Sequence, residues 1–265
     1  MEGIHVAIKA EELGHFMGLP ITNTLLMSWV VVLLIVSIAF FVRRKLSLVP
    51  SKLQLLLEIM VEQVLAFMEN TLESKVLARR YFPFIVTMFL FIFVANILEF
   101  LPGVGSVGLI AKEAHAVAST AGEHGSFTPL FRSINTDLNV TLALSIIAFL
   151  TIEISGIVMI GFFKYFHRFL PFGAFKHGIG NGLIMFFVGI IEFVSELIRL
   201  ISFSFRLFGN IFAGHVLLAV VTFFVPFVIP VPFMAFEVFV GFMQAAIFSL
   251  LTLFFLKLAV TEVAH

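Results

Sequence analysis

Residues 179–225 read IGNGLIMFFVGIIEFVSELIRLISFSFRLFGNIFAGHVLLAVVTFFV, a hydrophobic run that carries four charged side chains along its length. A perpendicular helix needs only about 20 apolar residues to cross a bilayer. At a rise of about 1.5 Å per residue, a helix over all 47 residues of the run would be about 70 Å long. The run therefore predicts a helix that is strongly tilted or kinked, or one that is preceded by a separate surface segment.

The polar residues of this run share one side of the predicted helix. Successive members are separated by 4, 3, 7 and 4 residues, which is the spacing of a single helical stripe. Because a charge at mid-bilayer costs at least about 2.5 kcal/mol and is tolerated mainly for function or pairing, we expect the functional site on this stripe. Its members are Glu192, Glu196, Arg199, Arg206 and Asn210, with Ser195 beside them.

Arg206 is the member of the stripe that local pairing explains least well. Its nearest carboxylate on the stripe is Glu196, ten residues back, and the next acidic residue is Glu237. An internal ion pair would therefore need the last span or another chain, and we assign Arg206 a functional role. Arg199 lies near Glu196, so that a local ion pair explains Arg199 as well as a functional role does.

Two further polar positions lie in adjacent apolar runs. His215 is nine residues after Arg206, about half a turn away in projection, and so serves a different environment. Glu237 and Gln244 are seven residues apart and share a face of the last run. Burial with a hydrogen bond would explain His215 or Glu237 alone, but their joint placement favours a proton relay.

The composition indicates an integral membrane protein. Hydrophobic residues make up 61% of the 265-residue chain, the mean hydropathy is +1.15, and 12% of the residues are charged, about half of the roughly 25% in average chains. Sixteen basic and sixteen acidic residues balance, which excludes a basic nucleic-acid-binding protein. The absence of cysteine excludes disulfides, thiolate catalysis and Cys-ligated metals.

Five long hydrophobic intervals predict an all-α membrane protein with about five membrane helices. We expect a single membrane domain over residues 1–265, in three parts that comprise residues 1–80, 81–178 and 179–265. The predicted spans lie between His15 and Arg43, between Arg80 and Glu99, between Asp137 and Lys164, from Ile179 to Val225, and from Phe233 to about Val260.

The distribution of Lys and Arg predicts the orientation of the chain. Seven basic residues lie between the first two spans and three between the third and fourth, whereas residues 101–136 hold only Lys112 and Arg132. The loop 101–136 and the N-terminus are therefore expected outside, and the C-terminus in the cytoplasm.

Residues 51–76 predict an amphipathic helix between the first two spans. Four glutamates follow helical spacing on one face, with Leu, Ile, Met and Val opposite, and Ser51 with Gln54 predicts a capping box at the start. One interpretation is a helix on the cytoplasmic membrane surface, although its acidic face departs from the usual basic one. Packing on a neighbouring subunit explains the pattern equally well.

Other polar residues have simpler explanations. Asn96, Glu99, Asp137 and Asn139 lie at span ends, where interfacial capping is slightly favoured over function, and the solitary Glu153 is undecided. The His and Glu residues of the outer loop lack the spacing of zinc ligands. No metal site and no cofactor are expected.

Several of these motifs resemble subunit a of the rotary F-type ATP synthase, of bacterial type. The run SFRLFGNIFAGH at residues 204–215 contains RLFGN and, two residues further on, a small residue and Gly (Ala213 and Gly214), which is similar to that family's signature. EFVSELIR upstream, DLNVTLAL at 137–144 and NILEFLPG at 96–103 are similar to further motifs in the same order. The resemblance covers roughly residues 40–260.

The resemblance implies a role for each matching residue. Arg206 takes the place of the family's essential arginine, which acts on a carboxylate of the ring of c subunits. Asn210 takes the place of the neighbouring channel asparagine, and Gln244 that of the glutamine that faces the arginine. Asp137, Glu196 and Arg199 are further candidates.

The family's two proton channels also have matches in this chain. His215 and Glu237 correspond to the His and acid pair of the inlet, with the acid here on the last helix. Glu192 and Ser195 match positions that line the cytoplasmic outlet. The resemblance implies that the last two spans form a long tilted hairpin along the ring, with two aqueous half-channels that do not meet.

The resemblance further implies a stator subunit in the membrane sector of an ATP synthase. Its partners would be the c-subunit ring, the b-subunit peripheral stalk, the rest of the synthase and the lipid bilayer, with no nucleic acid. The chain has no glycine-rich phosphate loop, so we expect no catalytic site of its own. No presequence is evident, which favours a bacterial inner membrane.

A different class of protein also places an arginine within a membrane. A secondary transporter would use it to bind an anionic substrate, but broken helices and inverted repeats would then be expected, and neither is evident. A structural scaffold would leave Arg206 unexplained. The choice between H⁺ and Na⁺ stays open, because it rests with residues of the ring.

Overall fold

The computed structural model describes residues 12–16, 19–100, 108–111, 126–129, 132–169, 179–225 and 228–261. This part of the chain is mainly helical, which confirms the predicted all-α membrane fold. The helices are α1 (Asn23–Arg44), α2 (Lys52–Leu72), α3 (Lys75–Leu98), α4 (Leu138–Ile160), α5 (Phe162–Phe169), α6 (Ile179–Phe224) and α7 (Pro230–Thr261). Two antiparallel hairpins pair β1 (Glu12–Phe16) with β2 (Leu19–Thr22) and β3 (Gly108–Ala111) with β4 (Ser126–Pro129).

Four of the described helices, α1, α3, α4 and α7, are long and apolar enough to cross a membrane. They correspond to the first, second, third and fifth predicted spans. The fourth predicted span is α6, a helix that continues over 46 residues, so no separate surface segment precedes a shorter helix there. Its passage through the membrane stays a prediction.

Local side-chain contacts fix where two of the helices begin. The Thr22 hydroxyl accepts a hydrogen bond from the N–H of Leu25 at 3.3 Å, in the first turn of α1. The Ser51 hydroxyl likewise accepts from the N–H of Gln54 at 3.3 Å, which confirms the capping role predicted for Ser51. The Gln54 amide also donates from Nε2 to the carbonyl of Ser47 at 3.0 Å.

The amphipathic helix is shorter than the predicted 51–76. It ends at Leu72 because Glu73 takes the left-handed backbone conformation, with φ of +54°, which a helix cannot continue. Helix α3 then begins at Lys75, several residues before the predicted span. Two helices therefore share a segment for which the sequence predicted a single surface helix.

The short elements were not predicted from the sequence. Gly161, with φ of +92°, separates α5 from α4, and strands of four or five residues are too short to show periodicity. In α5 the hydroxyl of Tyr165 donates to Oε2 of Glu153 at 2.7 Å. The undecided Glu153 thereby gains a partner.

The described residues fall into two compact units. Unit 1 comprises those within 1–54, 89–140 and 208–245. In unit 1 the Thr24 hydroxyl donates to Asp137 Oδ2 at 2.9 Å, while the N–H of Asn139 donates to Asp137 Oδ1 at 3.0 Å. The capping interpretation of Asp137 is confirmed. The buried core of unit 1 includes Met27, Val31, Ala95, Leu98 and Ile134.

Unit 2 comprises the described residues within 55–88, 141–207 and 246–265. The ring of Phe203 on α6 lies 5.2 Å from that of Phe248 and 5.5 Å from that of Phe255, both on α7. The hydroxyls of Thr141 and Ser204 form a buried hydrogen bond of 3.2 Å between α4 and α6. The core includes Met68, Leu72, Ala78, Ile85, Ile152, Leu253 and Leu256.

Candidate functional site

Unit 1 brings an acid and a histidine from distant parts of the chain into direct contact. The Nδ1 atom of His215, on α6, lies 2.9 Å from Oε1 of Glu99, in the turn after α3. The hydroxyl of Ser133 donates to the other oxygen of Glu99 at 2.7 Å. The Glu99 side chain is 9% exposed and that of His215 is 47% exposed, so the pair joins a nearly buried acid to an accessible ring.

A cavity of about 270 Å³ lies beside this pair, within unit 1. Its wall is mostly apolar, and polar groups converge on it from α3, α6 and α7. Such a combination is typical of a small-molecule or solvent site. The polar lining residues are Asn96, Glu99, Asn210 and Glu237, and the apolar ones include Ile211, Leu217, Phe236 and Val240.

Glu237 reaches this cavity because a glycine on α6 leaves room for it. A Cβ added to Gly214 would collide with the Glu237 carboxylate, so the close approach requires that this side chain be absent. Oε1 of Glu237 is buried and has no hydrogen-bond partner in the described part of the chain. A buried acceptor of this kind usually binds a water or a proton donor.

Other predicted site residues lie in unit 2, where they differ in exposure. Arg206 is exposed and has no ion pair with any described residue. Ser195 is also exposed, and its hydroxyl donates to the carbonyl of Ile191 at 2.7 Å. Glu192 is half-buried and Glu196 is buried.

Arg199 and Gln244 have environments that the sequence did not predict. The Arg199 guanidinium lies over the ring of Phe255, 3.9 Å from its centroid, within unit 2, a cation–π contact that gives Arg199 a packing role. Gln244, in unit 1, is buried.

Sequence reasoning left the role of Glu99 open and slightly favoured interfacial capping. Among the described residues, the direct partner of the His215 ring is Glu99 rather than the predicted Glu237. The available signal was that Glu99 and His215 both lie at the predicted outer membrane side of their spans. Within the described ranges, no group of three or more His, Asp or Glu side chains could hold a metal ion.

Comparisons with known proteins give a consistent result. Residues 25–257 match the family described as ATP synthase A chain. The chain is 34% identical over 236 residues to ATP synthase subunit a of Campylobacter jejuni strain RM1221, with 89% of each chain covered. It is 27% identical over 246 residues to ATP synthase subunit a of Moorella thermoacetica, with 93% of this chain and 94% of the other covered.

Proposed function

The chain belongs to the ATP synthase A chain family, and from this membership we propose that it provides the two half-channels and the arginine that couple proton flow to ring rotation. As a member of that family it is a membrane component of an ATP synthase, which assembles with the other synthase subunits. The proposed direct partners are the c-subunit ring and the b-subunit stalk. The proposed orientation has the N-terminus outside and the C-terminus in the cytoplasm.

The observation that carries the proposal is the His215–Glu99 pair beside the cavity that Glu237 also lines. Imidazole exchanges protons near neutral pH, and a carboxylate can act as its partner in proton transfer. The exposed ring of His215 accepts a proton at the outer side, and Glu99 fixes the ring through Nδ1. Glu237, with an unpartnered buried oxygen, receives the proton through the cavity.

Asn210 lines the same cavity one turn of α6 after Arg206. An amide hydrogen-bonds water without itself gaining or losing a proton. Asn210 is therefore assigned to bind the water molecules of the proton path along α6. In the proposal the proton then neutralises a ring carboxylate opposite Arg206. Gln244, which is buried, keeps the role of the glutamine that faces the arginine by family resemblance alone.

Arg206 separates the inlet from the outlet in this proposal. A guanidinium does not deprotonate in proteins, so Arg206 cannot pass a proton from one half-channel to the other. Its positive charge favours the ionised form of an approaching carboxylate, which releases the proton from the ring. The exposed position of Arg206, without an ion pair among the described residues, leaves it available to another chain.

The outlet is assigned to Glu192 and Ser195, on the predicted cytoplasmic side of Arg206. Glu196 and Arg199 lie along the same part of α6, and we assign them a structural role beside the outlet. Each charge that crosses supplies about 2.3 kcal/mol per 100 mV. Several protons are therefore needed for each ATP. A ring with many carboxylates can transport that number of protons in one rotation.

Replacement of Arg206 by Lys tests this assignment. The chain should still insert and assemble, but proton-driven ATP synthesis in vesicles should fall at least about 100-fold, because a desolvated ammonium can lose its proton and lacks the planar guanidinium. The matched control is Arg80→Lys, the same change in α3 near its start. Synthesis at the normal rate by Arg206→Lys vesicles under an imposed proton gradient would show that the assignment is wrong.

A further inference from the structure

Two buried amides and a backbone carbonyl form a continuous hydrogen-bonded chain in unit 1. Nδ2 of Asn135 donates to Oδ1 of Asn96 at 2.6 Å, and Nδ2 of Asn96 donates to the carbonyl of Gly241 at 3.0 Å. Asn135 is fully buried and Asn96 is 2% exposed. The chain joins the segment before α4 to α3 and to α7.

The direction of this chain is fixed at its α7 end. The Gly241 carbonyl can only accept, so Asn96 must present its NH₂ group there and its oxygen to Asn135. Asn135 must in turn present its own NH₂ group. A flip of either amide would bring two acceptors together, so neither amide can reorient without losing the connection.

This fixed direction leaves one acceptor without a partner. Oδ1 of Asn135 is buried and has no hydrogen-bond partner in the described part of the chain. Buried polar atoms are normally satisfied, and an exception calls for an explanation. Here the explanation is that the connection to Asn96 outweighs the desolvation of one oxygen.

Gly241 makes the connection possible by its lack of a side chain. A Cβ at this position would lie 2.9 Å from Cβ of Asn96 and 3.4 Å from its Cγ. Such contacts would force α3 and α7 apart in this unit, because Cβ atoms are not found so close. The separation of the two helices at this level is therefore set by Gly241 and held by the amide chain.

The two cavity carboxylates lie one helical turn from this connection. Glu237 is four residues before Gly241 on α7, a spacing that keeps both on the same side of that helix. Glu99 is three residues after Asn96, in the turn that directly follows α3. Both acids line the cavity. A change in the spacing between Asn96 and Gly241 is therefore transmitted to the spacing between Glu99 and Glu237.

We propose that Asn135 and Gly241 are positioning residues that hold Glu99 and Glu237 at the separation that proton transfer through the cavity requires. Neither residue is assigned to touch the proton itself. The inference rests on the proposed function, since it concerns the inlet of that same path. It explains why a fully buried asparagine and a glycine stand at these two positions.

A reversible cross-link tests the positioning role. In the Cys-free chain, the double variant Asn96→Cys with Gly241→Cys would start with its two Cβ atoms 2.9 Å apart. A small outward movement of about 0.9 Å brings them to the roughly 3.8 Å that a disulfide spans, and the disulfide then fixes the separation of the two helices there. With both thiols reduced, the amide chain is lost, and ATP-driven proton pumping should be about tenfold slower than in the wild type. Oxidation should restore the rate to within about threefold, and reduction of the same vesicles should remove it again.

Failure of the inference differs from failure of the proposed function. If the oxidised variant, with its cross-link confirmed by mobility on a gel, stays as slow as the reduced one, the positioning role is wrong. If the wild-type chain in its assembled synthase does not pump protons at all, the proposed function is wrong. The wild type has no thiol, so oxidant and reductant should leave its rate unchanged.

A single isosteric variant provides an independent test. Asn135→Leu keeps the approximate size of the side chain but has no donor for Asn96 in any protonation state, so pumping should fall about tenfold. The matched control is Thr136→Val, at a buried neighbour whose hydroxyl donates only to the nearby carbonyl of Ser133, at 2.8 Å. The control should stay within about twofold of the wild type. Equal rates for Asn135→Leu and the wild type would overturn the proposal.

Discussion

The two carboxylates that line the cavity differ in how far their oxygens are already engaged. Glu99 contacts His215 through one oxygen and Ser133 through the other, whereas Oε1 of Glu237 has no partner in the described residues. Two acids in unequal surroundings can take unequal roles in one reaction. In our proposal Glu99 orients the histidine and Glu237 receives the proton.

The contact between His215 and Glu99 predicts strong coupling between them. Single changes His215→Gln and Glu99→Gln should each slow proton pumping, and the double change should cost less than the sum, with a coupling of about 0.5–3 kcal/mol. The cycle of His215→Gln with Glu237→Gln should show weaker coupling. The effects are measured as initial pumping rates in vesicles. If the effects of the His215 and Glu99 changes are additive, the assignment of Glu99 to the inlet is wrong.

Gly214 should be intolerant of even a methyl group. Gly214→Ala would place a Cβ against the Glu237 carboxylate, and overpacking of this kind typically costs about 1–3 kcal/mol. Pumping should fall because Glu237 must leave its place at the cavity. The control is Gly180→Ala in the same helix, where an added Cβ meets no described atom within 4 Å. Equal pumping by the two variants would contradict the placement of Glu237.

At the scale of the elements, the turn between α2 and α3 is tied to the end of α7 within unit 2. Nζ of Lys257 lies 2.7 Å from Oε1 of Glu73, the residue with positive φ that ends α2. The hydrogen bond and the positive charge of Lys257 lower the pKa of the Glu73 carboxyl from its ordinary 4.5. The ion pair therefore couples the stability of this turn to pH.

The sign of that coupling follows from the lowered pKa. The ion pair stabilises the folded chain fully when the pH is above the ordinary pKa of a Glu carboxyl. This stabilisation is lost as the pH falls through the lowered pKa of Glu73, because the folded chain must then bind a proton at Glu73. Thermal unfolding of the detergent-solubilised chain should show Glu73→Gln less stable than the wild type near neutral pH. The difference should shrink as the pH falls below the ordinary pKa of 4.5 and disappear once the pH is below the lowered pKa of Glu73.

High salt should also reduce this difference, since the Glu73 side chain is 73% exposed. Glu62→Gln removes an exposed acid from α2, the helix that precedes Glu73, and is the control, with a small effect at every pH. A Glu73→Gln difference that grew as the pH fell would contradict the ion pair.

The elements of this chain differed in how well the sequence predicted them. The long helices were predicted because a membrane helix requires about 20 apolar residues in a row, and such a run can be recognised within one stretch of the sequence. Helix α5 was not, because it has eight residues and follows a single glycine in the left-handed conformation. The end of α2 was misplaced because the positive φ of Glu73 leaves no signal in residue type.

The site was predicted less completely than the helices for a different physical reason. A single polar residue in an apolar run is conspicuous because placing it in a membrane costs free energy. This criterion identified Arg206, His215 and Glu237 as candidates. The partners of these residues come from segments far apart in the chain. The periodicity of a sequence does not indicate which distant segments are in contact. Glu99 and Asn135 belong to this second class.

On the scale of the whole molecule, exposed apolar side chains cover much of the described surface. Helix α1 is the extreme case, since 11% of its most apolar stretch is buried within the chain. Trp29, Val36 and Phe41 are each more than half exposed. In a membrane this surface meets lipid or other subunits, so exposure in the isolated chain and access to water are different quantities.

Cysteine labelling can separate these two quantities across the molecule. Single cysteines at positions 192 and 195 should react with water-soluble thiol reagents mainly from the cytoplasm, and one at 215 mainly from outside, because thiolates form where water reaches. Position 210 should also react. Val36→Cys is the control, exposed in the chain but expected to stay unreactive beneath lipid. Access to positions 192 and 215 from the same side would refute two separate half-channels.

The contact between Glu99 and His215 also bears on how the protein is made. The two residues are 116 positions apart, and Asn96 and Gly241 are 145 apart. Since chains emerge from the ribosome N-terminus first, α3 is in place long before its partners on α6 and α7 are synthesised. A product cut short before α6 lacks two of the cavity's three helices, so unfinished or partly degraded chains should not dissipate the ion gradient of the cell that makes them.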